Sequence, residues 1–251
     1  MNKIKNINII RKKLKNNKPS IGAWMQIPSP SLAEIISSQN FEWVVIDLEH
    51  SQFNPEAIKN IFRAIELNGK IPFARLKSNS EDEIKTLLEC GAGGLIFPNI
   101  KNSNHLKKIL EKIYLPPKGS RGVGFSRANL YGKDFYNYVN KNYYPIIIPM
   151  IENIEALNDI DNILKIKEVD STLIGPYDLS SSMGIVGKIQ SQKFLKTLNF
   201  YLNISKKYNK ASGIHLIDPS NIKLKSLIKK GFSFIPFSLD VRIISEFYNI
   251  K

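Results

Sequence analysis

Ile147-Ile148-Pro149-Met150-Ile151-Glu152-Asn153 and Leu173-Ile174-Gly175-Pro176-Tyr177-Asp178-Leu179 decide how this chain is read. Each is a short apolar run that ends in a carboxylate. Runs of this length and composition read as strands buried on both faces, the kind found in helix-covered parallel sheets. Working outward, the predicted strands are Ile21 to Gln26, Trp43 to Asp47, Pro72 to Arg75, Gly94 to Pro98, Ile146 to Glu152, Ser171 to Gly175, Ala211 to Leu216 and Phe232 to Pro236. Segments of helical spacing separate them. Ala57, Ile58, Ile61, Phe62 and Ile65 recur at intervals of three and four, as do Leu106, Ile109, Leu110 and Ile113. Unbroken strand–helix alternation predicts one α/β domain over residues 1–251, a single (β/α)8 TIM barrel.

Two segments lie outside a minimal barrel. Ile4 to Leu14 reads as an extra basic helix before the first strand. Pro116 to Tyr144 is long and rich in Gly, Tyr and Asn. A connection of that length is usually functional, so it is expected to act as a lid, to cover the barrel's bottom or to reach a neighbouring subunit.

The 251 residues are 43% hydrophobic, enough for a substantial core. No stretch approaches the roughly 20 apolar residues of a membrane span, so no membrane partner is expected. The N-terminus lacks the apolar block of a secretory signal. The single Cys90 forms no internal disulfide, which agrees with a reducing, cytoplasmic setting. The formal charge of +14 raises the reading of a nucleic-acid-binding protein. Its best support is the stretch Tyr131 to Tyr144 with Lys133 and Lys141. The lysines are dispersed, however, in pairs such as Lys12-Lys13, Lys107-Lys108, Lys206-Lys207 and Lys229-Lys230. No nucleic-acid partner is therefore expected.

In barrels of this kind, active sites gather at the C-terminal ends of the strands. That rule collects Asp47, Glu49 and His50 after strand two, Arg75 after strand three, Glu152 after strand five and Gly175 to Asp178 after strand six. Glu152 and Asp178 offer hard oxygen ligands, which suit a divalent cation such as Mg²⁺ or Mn²⁺ better than tetrahedral zinc. Each acid alone would also serve as a cap or first-turn acid of the next helix. Asp47, three residues before His50, is placed to orient the imidazole as a general base. Arg75 suits a carboxylate or a developing enolate oxygen, or an ion pair with Glu49. The amides of Tyr177 and Asp178, after the Gly175-Pro176 turn, are candidates for holding a small carboxylate. His215, at the end of strand seven, either points into the mouth or packs there.

Taken in order, these residues resemble the HpcH/HpaI aldolase family of class II pyruvate-dependent aldolases. The marks are Gly22-Ala23-Trp24, Ile46-Asp47-Leu48-Glu49-His50, Phe73-Ala74-Arg75 and Cys90-Gly91-Ala92-Gly93-Gly94. Further on come Tyr114-Leu115-Pro116-Pro117-Lys118-Gly119-Ser120-Arg121-Gly122, Met150-Ile151-Glu152 and Gly175-Pro176-Tyr177-Asp178-Leu179-Ser180. The resemblance runs from Gly22 to about Asp240. It implies reversible cleavage of a 4-hydroxy-2-oxo acid, such as a 2-keto-3-deoxy sugar acid, to pyruvate and an aldehyde. It implies Glu152 and Asp178 as ligands of Mg²⁺, Mn²⁺ or Co²⁺ and His50 with Asp47 as an acid–base dyad. Arg75 would bind the keto oxygen, and Gly175, Tyr177 and Asp178 would line the pyruvate carboxylate site. It further implies a homo-oligomer, trimer or hexamer, in which Val241 to Tyr248 swaps between subunits. The chain departs from the family at Glu89, Met150 and Tyr177, where an Asp, a Gln and a small residue are usual. Rival enzyme readings are a Schiff-base aldolase using Lys77 and a citrate-lyase-like CoA-ester lyase.

Overall fold

The computed structural model describes residues 3–140 and 144–248. Eight parallel strands close on themselves in chain order: β1 (Ser20–Met25), β2 (Trp43–Asp47), β3 (Ile71–Arg75), β4 (Gly94–Phe97), β5 (Ile146–Ile151), β6 (Ser171–Ile174), β7 (Ala211–Ile214) and β8 (Phe234–Phe237). β1 pairs with β8, with Ser20 opposite Phe234 and Gly22 opposite Pro236, and this completes the (β/α)8 barrel. Nearly every strand residue is buried, because helices cover the outside and side chains fill the inside.

The helices begin where the sequence supplies caps. Ser29, Asn54, Ser80, Asn102, Asn153, Ser191 and Ser220 each accept a first-turn amide on a side-chain oxygen. They open α2 (Pro30–Ser37), α3 (Pro55–Leu67), α4 (Glu81–Cys90), α5 (Ser103–Glu111), α7 (Ile154–Asn158), α10 (Gln192–Lys207) and α11 (Asn221–Lys230). The remaining helices are α1 (Lys3–Lys15), α6 (Phe135–Asn140), α8 (Ile160–Lys165), α9 (Pro176–Ser182) and α12 (Asp240–Phe247).

Two apolar cores result. One lies between sheet and helices. The other fills the barrel, where Trp43 stacks on Phe73 at 5.1 Å and on Phe234 at 4.5 Å. Gly22 makes that stack possible, since a Cβ there would stand 2.0 Å from the Trp43 ring. The predicted N-terminal helix is α1. Its Ile7, Ile10 and Leu14 are buried with the interior cluster and close the barrel's N-terminal end. Arg11 fastens it to the Asp170 carboxylate at 2.8 Å and to the Tyr144 and Pro145 carbonyls.

The structure moves some expected boundaries. β3 begins at Ile71, and β8 runs from Phe234 to Phe237, later than the predicted Phe232 to Pro236. Phe232 is buried in the turn before the strand, so its apolarity misplaces the start. The long segment after α5 is not a lid over the mouth. Arg127 donates to the Cys90 carbonyl at 2.7 Å and pairs with Glu66, and Arg63 reaches the Tyr131 hydroxyl. Glu66 and Cys90 lie at the helix ends that lead into β3 and β4, the end of the barrel opposite the mouth. Arg121 is buried and spends its guanidinium on the Ile113 carbonyl and the Tyr138 hydroxyl. Residues 141–143, part of the Tyr131 to Tyr144 stretch, lie outside the described residues.

Candidate active site

The strand ends converge as the barrel rule requires. Asp47 and Arg75 are cross-strand partners in the β2–β3 register. Both are buried, Asp47 at 0% and Arg75 at 6% exposure. Arg75 Nε donates to Asp47 Oδ1 at 2.9 Å, and Nη2 donates to Oδ2 at 2.5 Å. Nη1 pairs with Glu49 at 2.9 Å. The guanidinium lies over the Trp24 ring, 5.1 Å from its centre.

Asp47 also accepts from Gln26 Nε2 at 2.8 Å, from Trp24 Nε1 at 3.2 Å and from the main-chain amides of Glu49 and His50. Burial alone would raise its pKa. The hydrogen bonds and charge of Arg75, with Gln26 and Trp24, outweigh burial and bring it down to about 2. Asp47 is thus joined to Arg75 and to the His50 main chain, and among the described hydrogen bonds none links it to the imidazole. His50 itself is exposed at the mouth. The local spacing suggested a ring–carboxylate pair; the cross-strand register instead directs Asp47 at Arg75.

Glu152 follows β5 and is 5% exposed. It is not the cap of α7, because Asn153 fills that role by accepting from the Ala156 amide at 2.8 Å. Glu152 Oε1 accepts one described hydrogen bond, from the Asn99 amide at 2.5 Å. Burial pushes its pKa up. The Asn99 amide pulls against that, the Glu49 and Asp178 carboxylates add to it, and the balance stands at about 7. Glu49 is raised as well, first by burial and then against the pull of Arg75. Asp178 sits exposed in the first turn of α9. Tyr177 and Asp178 stand in the first turn of α9, where the backbone amides have no carbonyl one turn back to donate to within the helix.

The set fits a hard divalent cation. Glu152 is a buried carboxylate with too little positive charge around it, and its acid neighbours are oxygen donors. Gly175 keeps the space beside it open, since a Cβ there would come within 3.2 Å of Glu152 Oε2. Among the described residues no group of three or more His, Cys, Asp or Glu side chains is arranged to hold a metal ion, so the protein's share would be the two carboxylates of Glu152 and Asp178.

Other strand ends contribute residues that the sequence reading left out of the site. Gln26 follows β1, and its main-chain amide and that of Ile27 donate to the Asp240 carboxylate. Asn99 follows β4 through Pro98. The strand-end rule, applied to Gly94 to Pro98 as it was to the other runs, would have pointed to it. His215 packs on Trp24, ring on ring at 4.5 Å, with Nε2 at 3.1 Å from the Ser238 carbonyl. A carbonyl only accepts, so Nε2 carries the hydrogen. Burial draws the His215 pKa down to about 4, and the ring is neutral at neutral pH. Lys77 is exposed in the loop after β3, without the burial that an imine-forming lysine needs.

Comparison with known proteins agrees with the fold and gives the family. The family model described as HpcH/HpaI aldolase/citrate lyase matches residues 20–245. A 4-hydroxy-2-oxo-heptane-1,7-dioate aldolase of Shigella flexneri is 29% identical over 243 residues, covering 95% of this chain and 90% of that protein. A hydroxypyruvate/pyruvate aldolase of Roseobacter denitrificans is 27% identical over 240 residues, covering 95% and 93%. Among solved structures, an HpcH/HpaI aldolase/citrate lyase family protein of Burkholderia cenocepacia superposes with a TM-score of 0.89 at 24% identity, covering 95% of each chain.

Proposed function

Because this chain belongs to the HpcH/HpaI aldolase/citrate lyase family and is a carbon–carbon lyase, we propose that it reversibly cleaves a 4-hydroxy-2-oxo acid to pyruvate and an aldehyde. The observation that carries this reading is the pairing of opposites at the mouth. A buried guanidinium has one edge locked on Asp47, and a buried carboxylate, Glu152, lies near it with a pKa of about 7.

Glu152 and Asp178 would hold a divalent cation, Mg²⁺, Mn²⁺ or Co²⁺. When bound, it supplies a Lewis acid that lowers the free energy of an enolate relative to the keto acid. The amides of Tyr177 and Asp178, beside Gly175, take the substrate carboxylate. Arg75 keeps its Nη1 group and one Nη2 hydrogen for Glu49 and for the keto oxygen. Negative charge grows on that oxygen as the reaction proceeds, so Arg75 favours the transition state over the ground state. Asp47 fixes the guanidinium without competing for protons, since its pKa lies near 2. His50, exposed above them, accepts the 4-hydroxyl proton. The C4–O bond becomes a carbonyl, the C3–C4 bond breaks, and its electron pair forms the enolate. The aldehyde departs, and His50 returns the proton to C3 to give pyruvate.

Homo-oligomer assembly is part of the same reading. Ile243, Ile244, Phe247 and Tyr248 of the C-terminal segment are exposed, the last two at 86% and 74%. An apolar surface of this kind supports exchange of α12 between subunits in a trimer or hexamer.

The test is exchange of the pyruvate C3 protons in D₂O, followed by NMR. It needs no knowledge of the aldehyde. Exchange is expected with Mn²⁺ or Mg²⁺, is lost in EDTA, and falls in His50→Ala. Exchange that persists in EDTA, or its absence under every metal in folded protein, overturns the proposal.

A further inference from the structure

The Pro98–Asn99 peptide is gripped from both sides. On its oxygen side, the Pro98 carbonyl accepts from Asn79 Nδ2 at 2.7 Å. On its nitrogen side, the Asn99 amide donates to Glu152 at 2.5 Å. Asn79 is 7% exposed, stands at φ 57° and leaves its own Oδ1 without a partner among the described residues. A buried polar atom left unpaired is expensive, and the bond from Nδ2 to the Pro98 carbonyl is the one described side-chain hydrogen bond set against that cost. Asn99 is also left-handed, at φ 55°. Asparagine tolerates that region far better than most residues. In this conformation the Asn99 side chain turns to the other side of the mouth, where Nδ2 donates to Glu49 Oε1 at 3.2 Å. One residue later, the Ile100 carbonyl accepts from Asn153 Nδ2 at 2.9 Å, so the β4 end is stitched to the β5 end twice.

We propose that Asn99, with the Asn79-clamped peptide that carries its amide, is the positioning element that sets Glu152 and Glu49 relative to one another. The two carboxylates repel, and each has a further demand on it: Glu49 from Arg75, Glu152 from the cation expected at its free oxygen. Asn99 gives each of them one hydrogen bond from a single rigid residue. Its amide acts on the cation side of the site, and its side chain acts through Glu49 on the outward edge of Arg75. Asn79 acts on neither directly; it aims the peptide.

The inference rests on the reading of Glu152 and Arg75 as working groups, so its test has one arm that needs neither metal nor turnover. In full-length protein labelled with ¹⁵N-asparagine and kept in EDTA, the Asn99 amide proton should lie far downfield and exchange slowly, as charge-assisted donors do. Glu152→Gln should move it upfield, and Asn79→Ala should move it the same way by less. The second arm measures binding of Mn²⁺ alone. Asn99→Gly keeps the amide and the left-handed backbone and should bind Mn²⁺ within about threefold of the native protein. Asn99→Ala strains that backbone and should bind about tenfold more weakly. In pyruvate exchange both variants lose the Glu49 contact, and KM should rise about fivefold while kcat falls less.

An Asn99 amide indifferent to both Glu152→Gln and Asn79→Ala overturns the clamp. So does Asn99→Ala matching Asn99→Gly in Mn²⁺ affinity. If the native protein neither binds Mn²⁺ nor exchanges pyruvate protons, the lyase reading of the site fails, and the amide shifts still decide whether the clamp exists.

Discussion

Two halves of the barrel mouth hold a carboxylate at nearly the same depth and treat it in opposite ways. On the β1–β3 side, Asp47 at 0% exposure receives the Arg75 fork, Gln26, Trp24 and two main-chain amides. On the β4–β6 side, Glu152 at 5% exposure receives the Asn99 amide and faces Glu49 and Asp178. The first stands at a pKa of about 2 and the second at about 7. Depth is therefore not what separates them; the supply of donors is. The Asp47 half is electrostatically finished and holds a cationic side chain still. The Glu152 half is left short of positive charge, a standing cost to the folded chain that, on the proposed reading, a bound cation would relieve.

The largest expected effect comes from breaking the finished half. Arg75→Ala should slow pyruvate exchange about a hundred- to a thousandfold, as loss of one oxyanion donor does. It also leaves Asp47 buried without its counter-charge, which should cost about 3–5 kcal/mol in urea unfolding. Arg75→Lys restores the charge without the fork and should recover stability more than rate. A folded Arg75→Ala protein of near-native rate would remove Arg75 from the mechanism.

Next comes relief of the unfinished half. A carboxyl whose folded pKa is raised above its unfolded value costs nothing at pH below both, because both states are protonated. The penalty grows as pH climbs from about 4.5 to about 7, where the unfolded chain ionises first. Glu152→Gln in EDTA should therefore match the native protein near the lower value and exceed it above pH 7 by on the order of 1–3 kcal/mol. The same variant should lose metal-dependent exchange. Urea melts across that pH range check the sign, and equal stability of the two proteins at every pH would show that Glu152 carries no penalty.

Asp47 should show the opposite sign. Its folded pKa is depressed, so its contribution is complete above the ordinary value of 3.8 and is lost as pH falls from there toward 2. Asp47→Asn should forgo about 2 kcal/mol at neutral pH and converge on the native protein at the acid end. Convergence in the alkaline direction instead would contradict the assignment.

How far this contrast was legible beforehand follows from what kind of contact carries it. The barrel was legible because parallel strands buried on both faces are continuous apolar runs, and Glu152 and Asp178 stood out as acids closing two of them. The partner of Asp47 was not. His50 lies three residues away and invites a local pairing, whereas Arg75 lies across a strand register that only the closed sheet sets. Asn99 was hidden for a related reason: its importance comes from a left-handed backbone and from Asn79 and Glu152, which are distant in sequence. Length alone left the segment after α5 open between a lid, a cover for the barrel's bottom and a reach to a neighbouring subunit; its anchors, Glu66 and Cys90, place it at the bottom.

The smallest expected effect sharpens the contrast most cheaply. The positive charge that the Glu152 half lacks has two sources in a pyruvate-handling barrel, an external cation or a lysine that forms an imine. Lys77, just beyond β3, is the lysine best placed for the second. It is exposed, and the loop around it is organised by its own amide and that of Ser78, which both donate to Glu83. Neither contact involves the ammonium, so the side chain can be removed without disturbing the turn. An imine-forming lysine also needs desolvation to be neutral at working pH, and solvent surrounds this one. Lys77→Ala should leave metal-dependent pyruvate exchange within about twofold of native, and borohydride with pyruvate should add no mass to the chain. A trapped adduct at Lys77 would transfer the missing charge from a bound cation to the protein itself, and the asymmetry between Asp47 and Glu152 would then need another explanation.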